Sequence, residues 1–181
     1  MVPTRWLSED EQVAWRAYML ATQLLDEALD RQLQRDSGMP HTYYGILVAL
    51  SEAPDHTLRM GELARTLRYS QSRMTHAITS LERNGWVVRQ PCPTDRRSLL
   101  AAITPSGMTA LETAAPGHVT EVRARMFDRL TPAQIVQLKD ICDVMLEGLD
   151  CSATPPGCPS DSSEPSVASE DCSDPKDLDA H

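Results

Sequence analysis

Eight arginines (Arg59, Arg65, Arg68, Arg73, Arg83, Arg89, Arg96 and Arg97) crowd into residues 59–97, opposed there by Glu62, Glu82 and Asp95, a local net charge of +5. A guanidinium carries a planar fork of donors that suits phosphate oxygens and the paired acceptors of a guanine edge. Inside the same stretch, Gln71, Ser72, Arg73, Thr75 and His76 follow one another closely. Arg73 can read guanine and Gln71 adenine, while Ser72 and Thr75 more often hold phosphate. His76, neutral near pH 7, can donate to a base or a phosphate or simply cover a helix. Arg96 and Arg97 can enter a narrow minor groove, where negative potential is enhanced, and Asp95 can orient one of them through a charge-assisted hydrogen bond. The bland alternative for all of them is an ordinary solvated helix face.

Chemistry of this kind requires a scaffold that presents one helix edge-on. The run MGELARTLRYSQSRMTHAITSLERNGWVVRQ supplies it, beginning at Met60. Ser70 can cap a recognition helix whose Met74, Ala77, Ile78 and Leu81 recur at three- and four-residue steps and define its buried side. The exposed side then carries Ser70, Gln71, Ser72, Arg73, Thr75 and His76 at its amino-terminal end, which is the end that enters a major groove. Asn84-Gly85 ends the helix, WVV reads as a strand, PCPTDRR turns the chain and SLLAAIT returns as a second strand. Two short helices followed by a basic hairpin make a winged helix, so the expected fold class is mainly α (α+β) and the expected partner is double-stranded DNA.

The chain as a whole has a formal charge of −9, so the residues outside the basic stretch sum to −14. Half of that lies in residues 150–181, where eight acidic side chains oppose Lys176. A basic patch on an acidic molecule attracts phosphate while the total charge limits indiscriminate binding. The length, 181 residues, suits one domain of about 150 residues with a tail. No run approaches a membrane span and MVPTRWLSEDEQ lacks an apolar leader, which predicts a soluble cytoplasmic protein. Five irregularly spaced cysteines form neither a zinc pattern nor a disulfide framework, so reduced thiols are expected. An enzyme is disfavoured: no phosphate loop, metal-ligand cluster, nucleophile motif or cofactor signature is legible. A winged-helix protein-interaction module that never touches DNA is the other alternative, and the arginine distribution argues against it.

Flanking the basic stretch are long amphipathic helices. EDEQVAWRAYMLATQLLDEALDRQLQRD, capped by Ser8, places Ala14, Tyr18, Ala21, Leu25, Ala28 and Leu29 on one face. HTYYGILVALSE follows Gly38-Met39-Pro40, with Tyr44, Leu47, Val48 and Leu50 as core residues. Thr104-Pro105 and Thr131-Pro132 each start a helix, and Gln134 can complete a capping box. The terminal helices hold more apolar surface than a small winged unit can cover, so a homodimer is expected. Pro116-Gly117 should kink or break the helix after Thr104 near Ala115, altering the spacing of paired recognition helices. From Asp150 onward the chain holds seven serines and five prolines and too few apolar residues to order itself, which predicts a disordered acidic tail over 150–181.

Two segments, LARTLRYSQSRMTHAITSLERNGWVVRQ and PTDRRSLLAAITPSG, together resemble the MarR-type transcriptional regulators, and the pattern covers about residues 10–149. The resemblance implies a MarR-like domain over 1–149, with dimerisation helices at 8–35 and 118–149 around a DNA-binding unit at 40–104. It implies a homodimeric repressor or activator on a pseudo-palindromic operator, often released by a small phenolic or lipophilic ligand or by cysteine oxidation. The family's pocket between winged unit and dimer helices would draw on Trp15, Tyr18, Met19, His41, Tyr43 and Tyr44, although such a stripe also suits plain packing. Cys92, between two prolines in the wing and near arginines, is the candidate redox thiol, with an inert surface cysteine as its alternative.

Overall fold

The computed structural model describes residues 3–93 and 98–149. Thus Asp95, Arg96 and Arg97 of the wing tip, and the acidic tail, lie outside the described residues. The described residues fall into two units, divided between Gln137 and Leu138. In chain order the elements are α1 (Glu9–Ser37), α2 (His41–Glu52), β1 (Thr57–Arg59), α3 (Met60–Thr66), α4 (Gln71–Arg83), β2 (Val87–Pro91), β3 (Leu99–Ile103), α5 (Pro105–Arg125) and α6 (Pro132–Leu149), with single 3-10 turns at Pro54–His56 and Phe127–Arg129.

Side-chain caps fix the starts of four of these helices, where the first N–H groups would otherwise lack partners. At α1 a complete capping box forms: Ser8 Oγ accepts from Glu11 N, and Ser8 N donates to Glu11 Oε2 at 2.7 Å. The same reciprocal pair ties Thr131 to Gln134 at the start of α6. Ser70 caps α4 and Thr104 caps α5, each through its hydroxyl to the backbone N–H three residues on.

The sheet is antiparallel in the order β1-β3-β2. Its wing hairpin runs from Val87 opposite Ile103 to Pro91 opposite Leu99. β1 was not legible in the sequence, because three residues are too short for a period and its Thr57, Leu58 and Arg59 pair only with the distant Ala102, Ala101 and Leu100. One core cluster joins Leu33 of α1, Ile46, Leu47 and Leu50 of α2, Leu63 of α3, and Met74, Ile78 and Leu81 of α4, all fully buried, to Val87 and Ala101 of the sheet. Tyr44, Leu47 and Leu50 take the core places expected of them, Val48 is half-buried, and Ile46 is an additional core residue.

The expected break near Ala115 does not occur: α5 is helical throughout Pro105–Arg125, with Pro116 inside it. An interior proline costs about 3 kcal/mol in an isolated helix. Here tertiary packing outweighs that, because the small residues around Pro116 let α5 lie close to α1. Ala114 is buried, and a Cβ on Gly117 would come within 3.1 Å of Gln32 Nε2. The interruption falls later, at Met126, where the chain leaves the helix for the 3-10 turn.

Candidate nucleic-acid interface

α4 has the two faces its spacing predicts. Met74, Ala77, Ile78 and Leu81 are buried, while Gln71, Ser72, Arg73, Thr75 and His76 are exposed in the first two turns. The chain reverses ahead of it through Arg68, whose left-handed backbone (φ +54°) is uncommon for a residue with a Cβ. Ser70 Oγ accepts from Arg73 N at 3.2 Å and lies 3.3 Å from Ser72 Oγ. Thr75 Oγ1 donates to the Gln71 carbonyl at 2.8 Å, so its proton is spent within the helix and it meets a phosphate poorly as a donor. The Arg73 guanidinium lies over the Tyr69 ring, 4.1 Å from the centroid, and Nη2 donates to Thr42 Oγ1 of α2 at 3.1 Å.

Between α3, α4 and the hairpin opens a groove of about 800 Å³, lined by Arg59, Arg65, Tyr69, Gln71, Thr75 and Arg89 among others. Three arginines on its walls make it electropositive, with Glu62 as the acidic exception. Arg89, however, does not face phosphate freely. Its Nε donates to Glu82 Oε2 at 2.9 Å, its backbone N–H to Oε1 at 3.0 Å, and Nη2 also reaches Thr79 Oγ1 at 3.3 Å. These hydrogen bonds hold the Glu82 carboxyl below its usual range, against the opposing effect of burial. Summing formal charge along the sequence missed this pair, since the six residues between Glu82 and Arg89 include the exit from the helix. A glutamate at the end of α4 and an arginine two residues into a strand are the only sequence signal that could have found it.

The joint between recognition helix and wing is equally tight. Gly85 takes a left-handed backbone (φ +72°) to end α4, and its carbonyl accepts from Thr104 Oγ1 at 2.6 Å and Ser106 Oγ at 2.7 Å. Trp86 O accepts from Thr104 N, and a Cβ on Gly107 would lie only 2.1 Å from that oxygen. The start of α5 is thus locked against the strand leaving the recognition helix.

The comparisons with known proteins agree with this geometry. Residues 37–98 match a MarR family model. The chain is 50% identical to Sco3205 of Streptomyces coelicolor, a MarR family transcriptional regulator crystallised in complex with DNA; the match covers 84% of this chain and 95% of that one, with a TM-score of 0.80. The chain belongs to the MarR family. AbsC, another MarR family transcriptional regulator of Streptomyces coelicolor, is 37% identical, with 81% of this chain and 99% of that one covered and a TM-score of 0.77. The HTH-type transcriptional repressor YetL of Bacillus subtilis is 32% identical over 89 residues, 49% of this chain, and the match spans little more than half (53%) of YetL.

Within this MarR-family chain, the six side chains expected to line one ligand pocket do not come together. His41 and Tyr44 line a cavity of about 500 Å³ with Val48, Leu58, Leu67 and His118. Trp15, Tyr18 and Met19 stand instead on the exposed amino-terminal half of α1, and Tyr43 is half-buried against the core. The 3.6-residue period put them on helix faces but could not say which faces meet. His118, unremarked in the sequence, packs against Tyr44 (ring centroids 4.4 Å) and His41 (5.4 Å), and its buried Nδ1 has no hydrogen-bond partner. Burial, and then the charge of His41, push its pKa down. His41 Nδ1 in turn lies 2.9 Å from Asp26 Oδ1, and its backbone N–H donates to Asp30. The wing cysteine also departs from expectation: Cys92 is only 4% exposed, and its N–H extends the hairpin ladder to Ser98 O at 3.0 Å. That burial removes the accessibility on which a redox role was argued.

Proposed function

We propose that the protein is a sequence-specific, double-stranded DNA-binding transcriptional regulator that works in the cytoplasm as a homodimer on a pseudo-palindromic operator. One observation carries the reading: the exposed amino-terminal end of α4 projects Gln71, Ser72, Arg73, Thr75 and His76 beside an arginine-lined groove, on a chain half identical to a regulator crystallised with DNA. In this reading α4 enters the major groove and Arg96 and Arg97 of the wing follow the adjoining minor groove, with Asp95 orienting one of them. Two copies are needed to bury the apolar side chains that one leaves in water. Trp15, Leu20 and Leu24 of α1 are exposed, as are Ile141, Val144 and Leu149 of α6.

The cavity beside His41, Tyr44 and His118 supports a response to a small, largely apolar ligand with a polar tip, since its walls are aromatic and aliphatic with two imidazoles among them. Selection of bound sequences from a random duplex pool, followed by mobility shifts across a salt series, tests the main reading. A preferred half-site repeated about one helical turn apart supports it, and steep loss of affinity with salt marks phosphate neutralisation. A winged-helix module that binds only proteins would retain no duplex at low salt.

A further inference from the structure

We propose that Arg73 is a phosphate clamp, fixed in advance by Tyr69 and Thr42, and not the guanine reader that its place on the recognition helix suggests. The inference rests on the DNA-binding reading above and assigns one of its residues a different task. Arg73 is the third residue of α4, yet its side chain is held against the body of the protein: Tyr69 covers one face of the guanidinium at 4.1 Å, and Nη2 is bonded to Thr42 Oγ1 at 3.1 Å. Thr42 belongs to α2, so the bond carries the cation to the seam between two helices. Gln71 and Thr75, by contrast, line the groove itself.

Reading guanine requires the side chain to extend outward and lay two parallel donors along N7 and O6. From its present position that means giving up both the stack and the hydrogen bond. A phosphate oxygen makes no such demand. It can be met by a guanidinium left where it is, through those of its five N–H donors that Thr42 does not use. The stack on Tyr69 also removes much of the rotamer freedom that a long arginine would otherwise lose on binding, which favours a contact made without rearrangement. Tyr69 and Thr42 are then positioning residues, acting on DNA through Arg73. Base discrimination at this end of the helix passes to its neighbours, Gln71 foremost.

The test uses the full chain, the operator obtained by selection, and a set of duplexes each changed at one base pair. Dissociation constants are measured for wild type, Arg73→Ala and Thr42→Val over a salt series. A phosphate clamp predicts that Arg73→Ala weakens binding to every duplex by a similar factor and lowers the salt slope by about one per clamp contact, leaving the order of base preferences unchanged. Thr42→Val, which keeps the charge and loses its anchor, should weaken all duplexes a few-fold with the slope of wild type. The proposal is overturned if Arg73→Ala abolishes discrimination at one base pair by about tenfold or more while the salt slope stays put. It is overturned equally if Thr42→Val binds as wild type does. Failure of the underlying reading looks different, because the wild-type chain itself would then show no sequence preference and no salt-dependent binding. Both substitutions are at the surface or half-buried, and circular dichroism confirms that each variant is folded before binding is compared.

Discussion

Glu82, near the end of the recognition helix, grips Arg89 of the first wing strand through both carboxylate oxygens: Oε1 accepts the Arg89 backbone N–H at 3.0 Å and Oε2 accepts Nε at 2.9 Å. Both side chains are little more than a quarter exposed, so water screens the pair only in part. The pair joins the two elements that the proposed reading brings to DNA together.

Substituting Glu82→Gln should therefore cost about 1.5–3 kcal/mol, the scale of hydrogen bonds to a charged group. The same change frees the Arg89 charge toward the groove, so nonspecific duplex affinity at low salt should rise. Urea denaturation reads the first effect and titration with random duplex the second. An unchanged denaturation midpoint would show the pair to be incidental.

Gly107→Ala should be among the more damaging single-methyl changes in the chain. The added carbon would sit 2.1 Å from the Trp86 carbonyl oxygen and 2.9 Å from Ile103 Cγ1, both part of the joint between wing and α5. Overpacking of this kind costs about 1–3 kcal/mol or more, because backbone must move to relieve it. Thermal melts of the two proteins check the prediction, with Gly148→Ala, where a Cβ meets open space, as the control.

Stability should fall as the solution is acidified below about pH 6.5, with a contribution from His118. Burial and the neighbouring His41 depress its folded pKa below the ordinary 6.5. The unfolded chain consequently takes up the proton first, so this contribution is complete above pH 6.5 and is lost as pH falls through the lower folded value. Glu82 behaves alike in a lower window: Arg89 depresses its pKa below 4.5, and its share is lost only as pH falls through that lower folded value. Denaturant midpoints between pH 5 and 8 should decline less steeply for His118→Phe than for wild type. Parallel profiles would count against the histidine.

Replacing Leu20 and Leu24 of α1 by glutamate should leave the fold of one chain intact, since both side chains are exposed, while disrupting self-association. Sedimentation should then show a shift from dimer toward monomer, with operator affinity falling as the second half-site is lost. A wild-type protein that sediments only as a monomer at micromolar concentration would end the dimer proposal.

The parts of this protein that its sequence determined are those set by short-range rules. Ser8, Ser70, Thr104 and Thr131 announce four helix starts, because a cap needs only a hydroxyl and an N–H a few residues away. Met74, Ala77, Ile78 and Leu81 announce the buried side of the recognition helix, because a fixed 100° turn per residue converts spacing into a face. Tertiary structure decided whatever depends on which faces meet. Pro116 remains inside a helix because α1 packs against its small neighbours, and β1 exists because β3 offers it an edge. Arg89 is answered by Glu82 and Arg73 is drawn to Thr42, thirty-one residues away in the chain. Charges counted along a sequence are all equally available, and packing brings some of them to partners first. That is why the basic face was legible as a whole, whereas the task of each arginine on it was not.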